Sequence, residues 1–310
     1  MLIHFSPNRF QQFKGIFFYN RKAIFIFLIV SLIAHVLYVH VGFERIALPL
    51  APVSIIGVGL AIFLGFRNSS AYDRWWEARK IWGGIVNVSR MIGMEITSFI
   101  QNEDQSALKE DHQQIIYRHI AWLYALSMHL RKQDSLDTIQ PLLSQTEHDM
   151  AKTFKNIPSQ LINLQSKHIE QVYRKGHLTD FSHNMLNGKL EELYTLQGKA
   201  ERIKNTVFPY YYNYFTRVFL WLFLIILPFA LIDKMGWEAV PLSTAISFVF
   251  YILDKSGTIT EDPFAARAAD TPMTALCRTI EIDLRQMLGE KDLPEPAPIK
   301  YSVFGVAYLD

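Results

Sequence analysis

Residues 48–66 read Leu48-Pro-Leu-Ala-Pro-Val-Ser-Ile-Ile-Gly-Val-Gly-Leu-Ala-Ile-Phe-Leu-Gly-Phe66, with no charged side chain anywhere in the run. A helix crosses a hydrocarbon layer of roughly 30 Å with about 20 apolar residues, at about 1.5 Å each. This stretch meets that length and reads as a membrane span. Three others join it: Ala23 to His40 (AIFIFLIVSLIAHVLYVH), Phe215 to Ile232 (FTRVFLWLFLIILPFALI) and Ala239 to Leu253 (AVPLSTAISFVFYIL). The last is short, and a soluble core helix is its alternative reading. Only short links separate the first span from the second and the third from the fourth. Each pair is therefore predicted to be an antiparallel hairpin.

The stretch is also unusual inside. Pro49 and Pro52 sit at its start, where a missing N–H costs little. Gly57, Gly59 and Gly65 remove side chains and let another backbone come close. Ile55, Val58, Ile62 and Phe66 share one helical face. Lipid contact or packing explains such a stripe, and so does a pore. Four spans leave no room for a channel within one chain, so a pore requires a symmetric ring with this helix nearest the axis.

Outward from the spans the composition changes. The chain has 310 residues, 50% of them hydrophobic, and a formal charge of +2, which suits a chain that is part membrane and part water-facing. So small a charge gives no strong attraction to nucleic acid. Cys277 is the single cysteine, so no intrachain disulfide forms. Asn20-Arg21-Lys22 precedes the first apolar run, which is too long for the core of a cleavable signal and is read as a span. Arg9, Lys14, Arg21 and Lys22 lie before the first span, and Arg67, Arg74, Arg79 and Lys80 after the second. The outer links hold only Arg45 and Lys234. The positive-inside rule then places both termini and the middle of the chain in the cytoplasm.

The predicted organisation is all-α. An interfacial or cytoplasmic segment covers residues 1–22, with Phe5, Phe10, Phe13, Phe17 and Phe18 alternating with polar residues. The first transmembrane hairpin covers 23–66, a cytoplasmic helical region 67–214, the second hairpin 215–253, and cytoplasmic helices with an extended tail 254–310. Helices are predicted over Arg74–Ile100, His112–Leu130 and Asn184–Lys204, with a loop from Gln133 to Gln145. Asp262 before Pro263 suits one helix start, and Thr271-Pro272 starts another reaching Leu288. Pro294, Pro296 and Pro298 mark the tail as an extended arm, disordered or wrapped over a neighbour.

Catalytic constellations are missing from the sequence: it has no phosphate-binding glycine loop, no nucleophile elbow and no HExxH zinc motif. An enzyme is therefore the weakest reading. The spans lack Asp, Glu, Lys and Arg in their middles, which argues against an active transporter. Arg217 lies near the start of the third span. His35, deep in the first, is expected to bond a neighbouring backbone group. His112, His119, His129 and His148 read as surface histidines, and Glu191 and Glu192 as solvated or cavity-lining. A membrane-anchored scaffold or sensor stays open beside the channel.

The run Gly65-Phe-Arg-Asn-Ser-Ser-Ala-Tyr-Asp-Arg-Trp-Trp-Glu-Ala-Arg79 resembles the second-span motif of bacterial bestrophin homologues. Glu261-Asp262-Pro263-Phe264 resembles the family's proline–phenylalanine motif, and Leu276 to Leu284 (LCRTIEIDL) is similar to bacterial members. The resemblance implies a homopentameric ion channel of a bacterial inner membrane, with one axial pore through the lipid bilayer. It implies a hydrophobic neck at Val58, Ile62 and Phe66, and a second, cytoplasmic aperture at Phe181 and Met185. Chloride and other anions are the implied permeant ions, by analogy with animal members. The neck carries no charge, so a sodium-type monovalent-cation channel remains an alternative. Animal members bind calcium through an acidic cluster after the proline–phenylalanine motif. Here Ala265-Ala-Arg-Ala-Ala-Asp270 replaces it, and one carboxylate beside an arginine cannot supply six or more oxygens. No calcium site, cofactor or other metal is expected.

Overall fold

The protein is described by a computed structural model that covers residues 2–4, 15–206, 210–302 and 307–310. Phe5, Phe10 and Phe13 of the expected interfacial segment lie outside the described residues.

The chain is nearly all helical. Helix α1 (Arg21–His35) continues as a π-helical turn over Val36–His40. Helix α2 follows over Leu50–Phe99, then α3 (Gln105–Arg131), α4 (Leu136–Ile139), α5 (Gln145–Ala151), α6 (Ile157–Arg174), α7 (Asp180–Asn205), α8 (Tyr210–Met235), α9 (Ala239–Thr260) and α10 (Met273–Met287). Among the described residues three helical runs are long and apolar enough to cross a membrane: Arg21–His40, Glu44–Phe99 and Tyr210–Thr260. The last is broken at Gly236, whose φ of +53° a side chain would strain. The chain folds back there, because Phe223 of α8 and Phe250 of α9 meet at 5.0 Å between ring centroids.

Helix α2 organises the molecule. Where the sequence separates a span ending at Phe66 from a helix beginning at Arg74, a single helix of 50 residues runs through both, about 75 Å long at the usual rise. Pro52 lies in its first turn and no proline follows, so nothing in residues 67–73 interrupts the backbone hydrogen bonding. Its membrane half buries Val53, Gly57, Leu60, Leu64, Arg67 and Ala71 at three- and four-residue steps, against Leu220, Phe223, Leu224 and Leu227 of α8. Its other half buries Trp82, Ile85, Ile92 and Ile96 in a second core with Ile116, Ile120, Leu186, Leu193 and Ile280. One rod thus belongs to both cores.

Several expectations are corrected. Helix α6 is not among the predicted helices, although its buried Leu161, Ile162, Ile169 and Val172 recur at helical spacing around Gln165. Gln165 is satisfied inside by the Ile115 carbonyl at 2.9 Å. The 133–145 segment is not a plain loop but holds α4 and a 3-10 turn over Gln140–Leu142. Asp262-Pro263 starts no helix. The Asp262 carboxylate caps the Phe264 N–H at 3.3 Å and the Pro263 carbonyl takes the Thr271 N–H at 2.9 Å, closing a turn. The fold is also not purely α, since Leu2–His4, Ala307–Tyr308 and Lys300–Tyr301 pair as short antiparallel strands β1, β3 and β2. The tail therefore closes on its own chain, with Asp310 bonded to Arg131 at 2.6 Å.

Candidate functional site

Each residue of the expected neck projects from the membrane half of α2, on the side that neither core covers. Val58 is 63% exposed, Ile62 55% and Phe66 67%, with Ile55 at 73% on the same stripe. The opposite face is clamped. Gly57 takes the Phe223 ring so closely that a Cβ would sit 2.9 Å from Phe223 Cε2. Tyr212 donates its hydroxyl to the Phe63 carbonyl at 3.0 Å. Arg67, next to Phe66, is buried and paired with Asp254 of α9, and its second nitrogen reaches Thr258 Oγ1 at 2.7 Å. Asn68 donates to the Leu253 carbonyl at 3.1 Å. The stripe is thus held by a rigid support while its own side chains stay uncovered. Beside it lie two clefts sharing Phe63. One, of about 300 Å³, is lined by Ile62, Phe66, Ser70 and Tyr212. The other, of about 320 Å³, is lined by Ile56, Gly59, Phe219 and Leu222.

The same side of α2 stays open beyond the apolar segment, at Trp76, Lys80, Gly83, Asn87, Met91 and Met94. Helix α7 runs antiparallel to it. Arg74 donates to the Ile203 carbonyl at 2.6 Å, and Gly84 faces Leu196. Phe181 and Met185 therefore lie at the far end of α2, about 50 Å from Phe66 by helix rise. The structure does not bring the two expected constrictions together. Phe181 is 74% exposed, and Met185 is half-buried.

The turn after α9 is filled from within. Arg267 donates to the Asp262 carbonyl at 2.6 Å and to the Asp270 carboxylate at 3.1 Å. Lys204 pairs with Asp262 at 2.8 Å. Burial holds the Asp270 carboxyl above the usual carboxylate range. Among the described residues no group of three or more His, Cys, Asp or Glu could hold a metal ion.

The histidines need correction. His119 is buried against Ser89 Oγ at 2.9 Å, and burial pushes its pKa down to about 3. His148 is also buried, with no partner among the described residues for either ring nitrogen. His112 is half-buried, bonded to the Ile100 carbonyl at 3.3 Å. His35 does not bond a backbone group through Nδ1; its ring packs edge-on against Trp237 at 5.1 Å. Glu191 and Glu192 are exposed, as expected. Sequence reasoning missed Arg67–Asp254 altogether. The one signal available was a carboxylate, Asp254, just past the fourth apolar run with no basic neighbour but Lys255.

Fold and site together define a helical membrane protein with one long helix that leaves an apolar stripe uncovered. The model of the bacterial and fungal bestrophin proteins matches residues 19–286. The voltage-dependent anion channel-forming protein YneE of Salmonella typhi is 34% identical over 245 residues, 79% of each chain. YneE of Escherichia coli K12 is 33% identical over 257 residues, 83% of this chain and 82% of that one. The crystal structure of a bacterial bestrophin homologue from Klebsiella pneumoniae superimposes with a TM-score of 0.81 at 30% identity, covering 87% of this chain and 98% of that one. The chain belongs to the bestrophin family.

Proposed function

We propose that the chain is a subunit of an anion channel, with Val58, Ile62 and Phe66 forming its neck. The observation that carries this reading is the exposed stripe on α2, apolar and uncovered, opposite a face locked by buried contacts. Five copies around an axis would turn it into a ring of apolar side chains, which admits ions only when the ring wets. The chain would cross a bacterial inner membrane four times in two hairpins, with both termini in the cytoplasm and lipid around the outside. Helix α2 would continue below the bilayer as the wall of a vestibule. Phe181 and Met185 would narrow that vestibule at its cytoplasmic end, and ions would pass without covalent chemistry.

The neck is uncharged, so it filters by wetting and size, and the sign of the permeant ion is set elsewhere along the conduit. The relatives named as anion channel-forming support chloride-like ions over a sodium-type pore. Both these names and the family point to a channel rather than an enzyme or a scaffold. No calcium would be needed, since Arg267 supplies the positive charge among the oxygens of the 261–270 turn.

Conductance of purified protein in planar bilayers tests the reading. Ile62→Ala and Phe66→Ala should each raise unitary conductance, and reversal potentials in asymmetric potassium chloride should follow the anion gradient. Unchanged conductance in both variants would remove the neck assignment, and a cation-following reversal potential would remove the anion assignment.

A further inference from the structure

Three helices bring their cations to one level of the membrane half. Helices α1 and α8 run parallel. Phe27 meets Trp221 at 6.0 Å, and Tyr38 donates to Asp233 at 2.7 Å, partners about 195 residues apart in both cases. This register sets Arg217 level with Lys22. Helix α9 runs antiparallel to α1, with Tyr251 against Phe27 at 5.8 Å and Lys255 bonded to Asn20 at 2.7 Å. The rings of Phe27, Trp221 and Tyr251 thus form one layer, and Lys22, Arg217 and Lys255 all lie roughly one helical turn from it, about 5–8 Å by helix rise, toward the same end.

These cations are not balanced by the protein. Residues 1–43 and 207–232 contain no Asp or Glu. The carboxylate nearest this level, Asp254, is committed to Arg67. Lys255 is held by Asn20 and stands over the Tyr19 ring at 4.1 Å. Among the described residues, exposed Lys22 and Arg217 make no hydrogen bond or ion pair. Arg21 is exposed above the Phe18 ring at 4.2 Å. The surrounding exposed side chains are apolar or aromatic: Phe18, Phe25, Ile26, Tyr210, Tyr214 and Val218. A long cation rooted in such a surface reaches for the headgroup layer, with its stem among acyl chains.

We propose that Lys22 and Arg217, with Arg21 beside Lys22, bind the phosphates of anionic phospholipids around this edge of the bilayer. A lipid fits better than a soluble anion because the surface around the cations is hydrophobic on the side where acyl chains would lie. A second copy of the chain would have to bring carboxylates, and α1, α8 and α9 offer none that is free at this level, since Asp254 is paired with Arg67. The inference rests on the membrane placement of α1 and α8 and not on the pore, so it is read without any current.

The test is lipid retention by the detergent-purified protein, with short-chain phosphatidylglycerol and phosphatidylcholine as probes, followed by native mass spectrometry. Phosphatidylglycerol should bind and phosphatidylcholine should not compete. A basic residue near an anionic surface contributes about fivefold in affinity, so Lys22→Gln/Arg217→Gln should weaken phosphatidylglycerol about thirtyfold. The exchange Lys22→Arg/Arg217→Lys keeps both charges and should stay within about threefold of the parent. Equal binding of the two lipids, or undiminished binding by the glutamine variant, would overturn the proposal. Displacement of phosphatidylglycerol by equimolar inorganic phosphate would identify a soluble-anion site instead. A glutamine variant that loses its assembled state would identify a subunit contact, with the same consequence.

Discussion

Removing the Asp254 carboxylate should destabilise the protein more than its position near a helix end suggests. In Asp254→Ala the Arg67 guanidinium, 2% exposed, keeps only Thr258 Oγ1 as a partner, and its Nε already has none. Breaking one side of a buried ion pair leaves an uncompensated charge and costs about 3–5 kcal/mol. Replacing both partners by apolar residues of similar volume is often neutral, because the desolvation of both charges is removed together. Arg67→Met/Asp254→Leu should therefore recover most of what Asp254→Ala loses. Denaturant unfolding in detergent micelles, followed by tryptophan fluorescence, reads both quantities. Trp75, Trp76 and Trp82 lie on the same helix as Arg67 and report its unfolding. A single-variant loss below about 1 kcal/mol, the range of exposed pairs, would refute the claim that this pair is buried and unscreened. A double variant as unstable as the single would refute the assignment of that loss to the stranded charge.

Three further outcomes follow from buried groups away from the neck. His119 stays neutral in the fold while the unfolded chain takes a proton below about pH 6.5, so its contribution holds above that pH and is lost toward pH 3. Between pH 7 and 5 this site alone should cost about 2 kcal/mol of stability, and His119→Gln should flatten the acid side of a stability–pH curve by that amount. Burial pushes the Cys277 thiol up to about 12 and its S–H donates to the Leu123 carbonyl, so maleimide at pH 8 should label it only as the protein unfolds. Labelling of folded protein at the rate of a free thiol would contradict that burial. Millimolar calcium should change neither the melting midpoint nor the current relative to chelator, because Arg267 already bonds the Asp262 carbonyl and Asp270 carboxylate.

Periodicity carried much of this structure. The apolar runs are local statements about desolvation, and each lies in a helix that starts within a few residues of its expected start, though the second runs on to Phe99. The Ile55-Val58-Ile62-Phe66 stripe needed only the 3.6-residue repeat, and these side chains do share one uncovered face. Periodicity does not say how a polar residue is satisfied in a core. Gln165 shares the buried face of α6, and the sequence could not reveal that the Ile115 carbonyl would satisfy it. His119 and His148 read as surface residues because burial of a polar ring depends on what packs over it.

The sequence by itself determined that long uncharged runs must leave water, that α2 has one apolar stripe and that its glycines leave room. All of these depend on residues a few positions apart. Phe223 fills that room at Gly57, while a Cβ at Gly59 or Gly65 would meet nothing within 4 Å. Only the tertiary structure decided that the stripe's helix is pinned from behind by Arg67 and Asp254, 187 residues apart. Only it decided that Arg267 would turn inward on Asp262 and Asp270, and that Lys22 and Arg217 would lie at one level of the bilayer. A charge is legible in the sequence, but its partner is fixed by how the helices pack. That packing decides whether the charge is neutralised, buried at a cost or left open to a ligand.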